Sequence, residues 1–65
     1  NRANRHATLR ALESFTSLSR DMLTATDATG YVLMKLIGAL RGLTKREQQE
    51  AKKYLDVILN TVKGR

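Results

Sequence analysis

Apolar residues recur along the first part of the chain at intervals of three and four, which is the spacing of one face of an α-helix. The apolar face comprises Leu9, Leu12, Phe15, Leu18, Met22 and Leu23. The opposite face is polar and comprises Arg10, Glu13, Ser17, Arg20, Asp21 and Thr24. The pattern predicts an amphipathic helix over about residues 8–24.

Residues 1–7 precede this helix and contain arginines and a histidine but no acid. Cations are unfavourable at a helix amino terminus, where the helix dipole already places partial positive charge. On a helical projection Arg5 would also fall beside Leu9, on the apolar edge. We therefore predict an irregular basic arm over 1–7, with the helix beginning near Thr8 and capped by Asn4 or Thr8.

Residues 24–30 contain three Thr, one Asp and one Gly and predict a turn, with Asp27 as the cap of a second helix over about 28–41. Arg41 and Gly42 are typical of a helix end. A strand over 31–37 is the alternative, but its residues do not alternate and no pairing partner is evident, which favours the helix. The apolar side of this helix comprises Val32, Leu33, Leu36, Ile37, Ala39 and Leu40.

The clearest local motif is Thr44-Lys45-Arg46-Glu47. A Thr followed three residues later by Glu is a capping box, in which each side chain accepts a hydrogen bond from a backbone amide of the first turn. The motif predicts a third helix over about 45–63 that ends at Lys63 and Gly64. Its apolar face comprises Ala51, Tyr54, Leu55, Ile58, Leu59 and Val62.

The predicted fold is therefore all-α, a single three-helix domain over 8–65. A chain of 65 residues buries only about 60% of its unfolded surface, and scaffolds of this size usually need disulfides, a metal or a partner chain. Since the chain has no cysteine and one histidine, we expect a dimeric helical bundle. The candidate core and oligomer-interface residues are Leu9, Leu12, Phe15, Leu18, Met22, Leu33, Leu36, Ile37, Leu40, Tyr54, Leu55, Ile58, Leu59 and Val62.

Charge changes this picture by suggesting a partner. Twelve Lys and Arg residues against six acids give a net charge of +6, which favours binding to a polyanion. A short turn over 42–44 followed by a basic helix also resembles a helix-turn-helix. We predict a small nucleic-acid-binding regulator of transcription, with DNA favoured over RNA. The candidate contacts are Arg2, Arg5, Arg10, Lys45, Arg46, Gln49, Lys52 and Lys53.

An ordinary solvated surface is the competing interpretation of the third helix. Glu47, Glu50 and Asp56 share the helix with its cations, and Arg46 could pair with Glu50 at i,i+4 spacing. The arm over 1–7 has no such acid nearby and favours an external partner. The alternative function is a helical adaptor that oligomerises or binds a target protein through its wide apolar faces.

Catalytic motifs are absent from the sequence, and we expect neither an enzyme nor a bound cofactor. His6 lies among arginines with no nucleophile at a useful spacing, and no metal site is predicted. No apolar run approaches the ~20 residues that span a bilayer, so a membrane partner is not expected. The lack of cysteine fits a cytoplasmic location.

Two stretches resemble known families. Leu43-Thr44-Lys45-Arg46-Glu47 is similar to the opening of a LuxR-type DNA-binding domain, but only fifteen residues follow Glu50, too few for the three further helices which that domain requires. Residues 31–59 are similar, in pattern only, to small enterobacterial biofilm regulators of the YmgB/AriR type. Neither resemblance identifies the chain.

Overall fold

The computed structural model describes residues 1–25 and 27–64, and they form an all-α fold as predicted. No strand occurs in this part of the chain, so the helix is the correct interpretation of residues 31–37. The elements, in chain order, are α1 (Arg2–Phe15), α2 (Arg20–Ala25), α3 (Asp27–Gly38), a 3-10 turn (Ala39–Gly42) and α4 (Lys45–Lys63).

Helix α1 begins at Arg2, so the predicted start near Thr8 and the irregular arm over 1–7 are wrong. The cap is Asn1, whose side-chain oxygen accepts a hydrogen bond from the Asn4 amide at 2.9 Å. A cation on the apolar edge was one reason for predicting that the helix starts later, and Arg5 does lie on that edge. It is tolerated because its Nε donates to Glu47 Oε1 of α4 at 2.9 Å.

The predicted first helix is interrupted after Phe15 and resumes as α2 at Arg20. Hydroxyls compete with the helical bonding pattern here: Thr16 Oγ1 donates to the Glu13 carbonyl at 2.6 Å, and Ser17 Oγ donates to the Ser14 carbonyl at 2.9 Å. Such side chains offer the backbone an alternative to continued helix. Because apolar residues keep their helical spacing through Leu18 and beyond, the sequence pattern did not predict this break.

The turn predicted over 24–30 is also wrong for the residues that the structure describes. Residues 24 and 25 end α2, and residues 27–30 begin α3. Thr26 and the side chain of Asp27, on which the predicted cap depends, lie outside the described part of the chain. Helix α3 ends at Gly38, earlier than predicted, and Arg41 and Gly42 close the 3-10 turn instead.

Helix α4 begins as predicted, with a complete capping box. Thr44 Oγ1 accepts from the Glu47 amide at 3.2 Å, and Glu47 Oε1 accepts from the Thr44 amide at 2.9 Å. The helix ends at Gly64, whose φ of 78° lies in the left-handed region that favours glycine. Both ends are encoded locally, which is why the sequence predicted them.

Helices α1 and α4 lie side by side and run in the same direction. Arg5 meets Glu47 near the start of both helices, and beyond the end of α1 Arg20 Nε donates to the Val62 carbonyl near the end of α4, at 2.9 Å. Helices α2 and α3 carry the chain from the end of α1 back to the start of α4. The buried core joins these elements and comprises Leu9, Leu12, Leu23, Leu43, Ala51 and Ile58.

The predicted core residues divide into three groups. Leu9, Leu12 and Ile58 are buried. Eight more are partly buried against the core: Phe15, Leu18, Leu33, Leu36, Leu40, Tyr54, Leu55 and Val62. Met22, Ile37 and Leu59 are exposed in this chain, so they are not core residues of the monomer. Leu43, which lies between the 3-10 turn and α4, is buried although its position suggested only a connection.

Candidate nucleic-acid interface

The two sides of α4 differ in charge. Three carboxylates belong to this helix, and two of them contact α1: Glu47, which is part-buried, and Glu50, whose side chain remains 41% exposed. Arg5 Nε lies 2.9 Å from Glu47 Oε1, and the side chains of this pair are 29% and 16% exposed. Arg10 Nη2 lies 3.3 Å from Glu50 Oε2. Two of the three acids that lower the net positive charge of α4 are thus paired with arginines of α1.

Glu47 has two roles in this contact. Its carboxylate closes the capping box and also accepts the hydrogen bond from Arg5. The hydrogen bond from the Thr44 amide, with further help from the positive charge of Arg5, lowers the pKa of Glu47 against the opposing effect of its partial burial. The carboxylate therefore remains charged to lower pH than an isolated glutamate.

Glu50 joins α1 to the middle of α4. Besides Arg10, it accepts a hydrogen bond from Tyr54 Oη at 2.7 Å. Arg10 Nε also lies 3.2 Å from Glu13 Oε1 within α1. The hydrogen bond to the Glu50 carboxylate raises the pKa of the Tyr54 phenol. The predicted i,i+4 pair of Arg46 with Glu50 is replaced by this connection across helices.

These contacts correct the prediction that the first arginines lack an internal partner. Arg5 and Arg10, both predicted to contact nucleic acid, are engaged by carboxylates of α4. Arg2 is exposed in the first turn of α1. The sequence could not show this difference, because the partners of Arg5 and Arg10 lie 42 and 40 residues away.

The outer side of α4 gathers the remaining predicted contacts, all of them exposed, on one face. We call this surface the basic face, and it comprises Lys45, Arg46, Gln49, Lys52, Lys53, Asp56, Asn60 and Lys63. Within α4, which the structure describes throughout, Asp56 is the only acid on this face. Lys63 and Asn60 were not among the predicted contacts, although helical spacing from Lys52, Lys53 and Asp56 could have identified them.

The basic face is long, and its cations are grouped at positions 45–46, 52–53 and 63. Lys45 and Lys63 are separated by about 27 Å along the helix axis, at about 1.5 Å per residue. Five cations along this length form a row of positive charge on a rigid element. Such a row can neutralise several phosphates of a nucleic-acid backbone. Gln49, one helical turn after Lys45, has the amide group that can pair with an adenine edge.

Other kinds of site receive no support in the part of the chain that the structure describes. No three His, Cys, Asp or Glu side chains are grouped so that they could hold a metal ion. None of the described helices combines the length and apolar character needed to cross a membrane.

Comparison with known proteins found no match to a family model, a curated protein or a solved structure.

Proposed function

We propose that this chain is a small helical regulator that binds nucleic acid, DNA in preference to RNA, through the basic face of α4, and that it acts as an oligomer in transcription. The observation that supports the proposal is the separation of charge on α4. Glu47 and Glu50 are paired with Arg5 and Arg10, so five cations face solvent with a single acid among them.

Paired acids make α4 more basic towards solvent than its composition implies. Glu47, held by Arg5 and by the cap of α4, competes little with phosphate for the lysines of the outer side. Glu50 lies nearer to Arg46 and Lys53, but its carboxylate is engaged by Arg10 and Tyr54. The Arg5–Glu47 pair holds the start of α1 against the start of α4, and Arg2 in that turn stays exposed as a further candidate contact. Arg5 and Arg10 act indirectly in this proposal, by fixing α1 to α4.

Salt dependence is the direct test. Fluorescently labelled duplex DNA and duplex RNA are titrated with the protein between 50 and 200 mM salt. Each phosphate that is neutralised contributes about −0.9 to the slope of log K against log salt. Five contacts would weaken binding to DNA by roughly 500-fold over this range. Absence of binding at the lowest salt concentration would contradict the proposal.

Paired variants locate the surface. Lys52→Ala/Lys53→Ala removes two cations of the basic face and should reduce the magnitude of the slope by about 2. Lys35→Ala/Arg41→Ala removes the same charge from exposed positions outside α4 and should change the slope little. Equal losses in the two pairs would show that net charge, rather than the basic face, is responsible for binding.

A protein-interaction module is the second candidate function. It is favoured by exposed apolar side chains, including Tyr31 and Met34 on α3. In that function the charges of α4 would only maintain solubility. The titration separates the two candidates, because an adaptor of this kind would show no salt-dependent binding to either nucleic acid.

A further inference from the structure

The outer side of α3 is an apolar surface without a covering element. Tyr31 and Met34 are 64% and 70% exposed, and Val32 and Ile37 flank them with 45% and 42% exposure. The inner side of the same helix is apolar as well, since Leu33 and Leu36 pack against the core. A helix that is apolar around its whole circumference is normally covered on all sides.

This surface also carries little charge. Lys35 is the only charged residue among the described side chains of α3. Its ammonium nitrogen lies 5.5 Å from the centre of the Tyr31 ring, which is within cation–π distance. The outer face of α3 therefore contrasts with the basic face of α4.

The exposed area of the chain matches a missing interface. The chain exposes 4916 Å², whereas a compact monomer of 7.3 kDa exposes roughly 4,200 Å². The excess of roughly 700 Å² is close to the ~800 Å² that each partner contributes to a standard protein interface. One further interface of standard size would lower the exposed area of the chain to that of a compact protein of the same mass.

We infer that a second copy of this chain covers the outer face of α3 through a two-fold symmetric contact of α3 with α3. A two-fold axis sets like residues against like. Such pairing is favourable for Tyr31 and Met34 but repulsive for the lysines of α4. In a chain of net charge +6, this face carries a single cation, Lys35, and is thus one through which two copies approach at lower electrostatic cost than through the basic face.

Local geometry permits close approach of the two helices. Gly38 lies one helical turn after Met34 on the same outer face, and a Cβ built at this glycine meets nothing within 4 Å. The partner helix can therefore pack close to the backbone there. An acidic partner protein fits less well, because its charge would be drawn to α4 rather than to α3.

This contact specifies the surface for the oligomer that belongs to the proposed function, and it leaves the basic face of each copy free. The contact itself requires no nucleic acid. Self-association and nucleic-acid binding can therefore succeed or fail separately, and each is measured without the other.

Sedimentation velocity of the full chain over 5 to 500 μM tests the inference, with circular dichroism as a check of folding. The wild type should approach twice the 7.3 kDa chain mass as concentration rises. Met34→Lys should raise the dimer dissociation constant by at least about 100-fold, because the change occurs twice in a symmetric contact. Since Met34 is exposed, helix content should not change.

Leu59→Lys is the matched control, because Leu59 is an exposed leucine on α4 and the variant gains the same charge. Its dissociation constant should stay within about threefold of the wild type. A wild type that remains monomeric at 500 μM would overturn the inference. So would a Met34→Lys variant that dimerises normally, or a Leu59→Lys variant that dissociates to the same extent.

Discussion

Helices α1 and α4 begin side by side, each with a capped first turn that contains basic residues, yet the two starts are stabilised differently. In α4 the cap is complete within four residues, since Thr44 and Glu47 satisfy each other's amides. In α1 the cap is Asn1 alone, and no acid lies in the first turn. The carboxylate that α1 lacks is Glu47 of α4.

The difference shows that cations of similar appearance in the sequence have different roles. Arg5 of α1 points into the contact between the helices and meets Glu47. Arg46, beside Glu47 in the chain, is exposed. One arginine contributes to the fold, and the other is available to a partner. Net charge counts both equally, but in the proposed function only the second kind would contact nucleic acid.

The largest effect should come from breaking the core that holds the two helices together. Leu12 of α1 has no exposed surface, and Leu12→Ala should lower the free energy of unfolding by about 3 kcal/mol through lost burial and a residual cavity. Leu59→Ala, at an exposed position, should cost less than about 0.5 kcal/mol. Urea denaturation measures both, and equal costs would refute the proposed packing.

The two caps should differ in value. Thr44→Ala removes half of a capping box in the interior of the chain and should cost about 1 to 2 kcal/mol. Asn1→Ala removes a cap at the first residue, where the turn can fray, and should cost about 0.5 kcal/mol. Thermal unfolding monitored by circular dichroism distinguishes them. A larger loss at Asn1 would reverse the comparison between the two helix starts.

Removing the cations one at a time sharpens the comparison further. Arg5→Met keeps most of the side-chain volume but leaves Glu47 without its partner from α1, so it should lower the unfolding midpoint. Arg46→Met removes an exposed charge and should leave the midpoint unchanged within error. In the DNA titration the order should be opposite, with Arg46→Met weakening binding more. If neither the unfolding midpoint nor the affinity for DNA differed between the two variants, the division of roles would be contradicted.

The smallest effect concerns pH. Because the folded state lowers the pKa of Glu47, the unfolded chain binds its proton more tightly. The stabilisation is thus fully present above the unfolded value of about 4.3 and is lost as pH falls through the lower, folded value. Urea midpoints between pH 6 and pH 3 should fall more steeply for the wild type than for Glu47→Gln, which retains a capping residue. Parallel curves would exclude a role for Glu47 in the pH dependence.

Much of the helical structure could be predicted because its signals are local. The capping box at Thr44 and the helix end at Gly64 each lie within a few residues, and the pattern of apolar residues placed Leu9, Leu12 and Ile58 on inward faces. The break after Phe15 was missed because apolar spacing continues across it. At the break the backbone amides of Thr16, Ser17 and Leu18 bond to carbonyls three residues back rather than four, and periodicity does not record such a change.

The candidate site was only partly predictable for a related reason. The lysines of α4 were identified from composition and spacing on one helix. The expectation that the arm over 1–7 has no acidic partner was wrong for Arg5, because Glu47 is distant in the chain but adjacent in space. Arg10 meets Glu50 in the same way, and the assignment of both arginines to nucleic acid stays a prediction. Contacts across 40 residues leave no local trace in a single sequence.

The parallel alignment of α1 and α4 has a consequence for how the chain folds. Two parallel neighbours cannot be joined by a tight turn, so everything from Thr16 to Thr44 must travel back before the ends meet. Contacts of such sequence separation are slow to form, because the entropy of loop closure is lost before any contact is gained. We expect α4, which carries its own start and stop, to nucleate early, and α1 to be the last helix to dock.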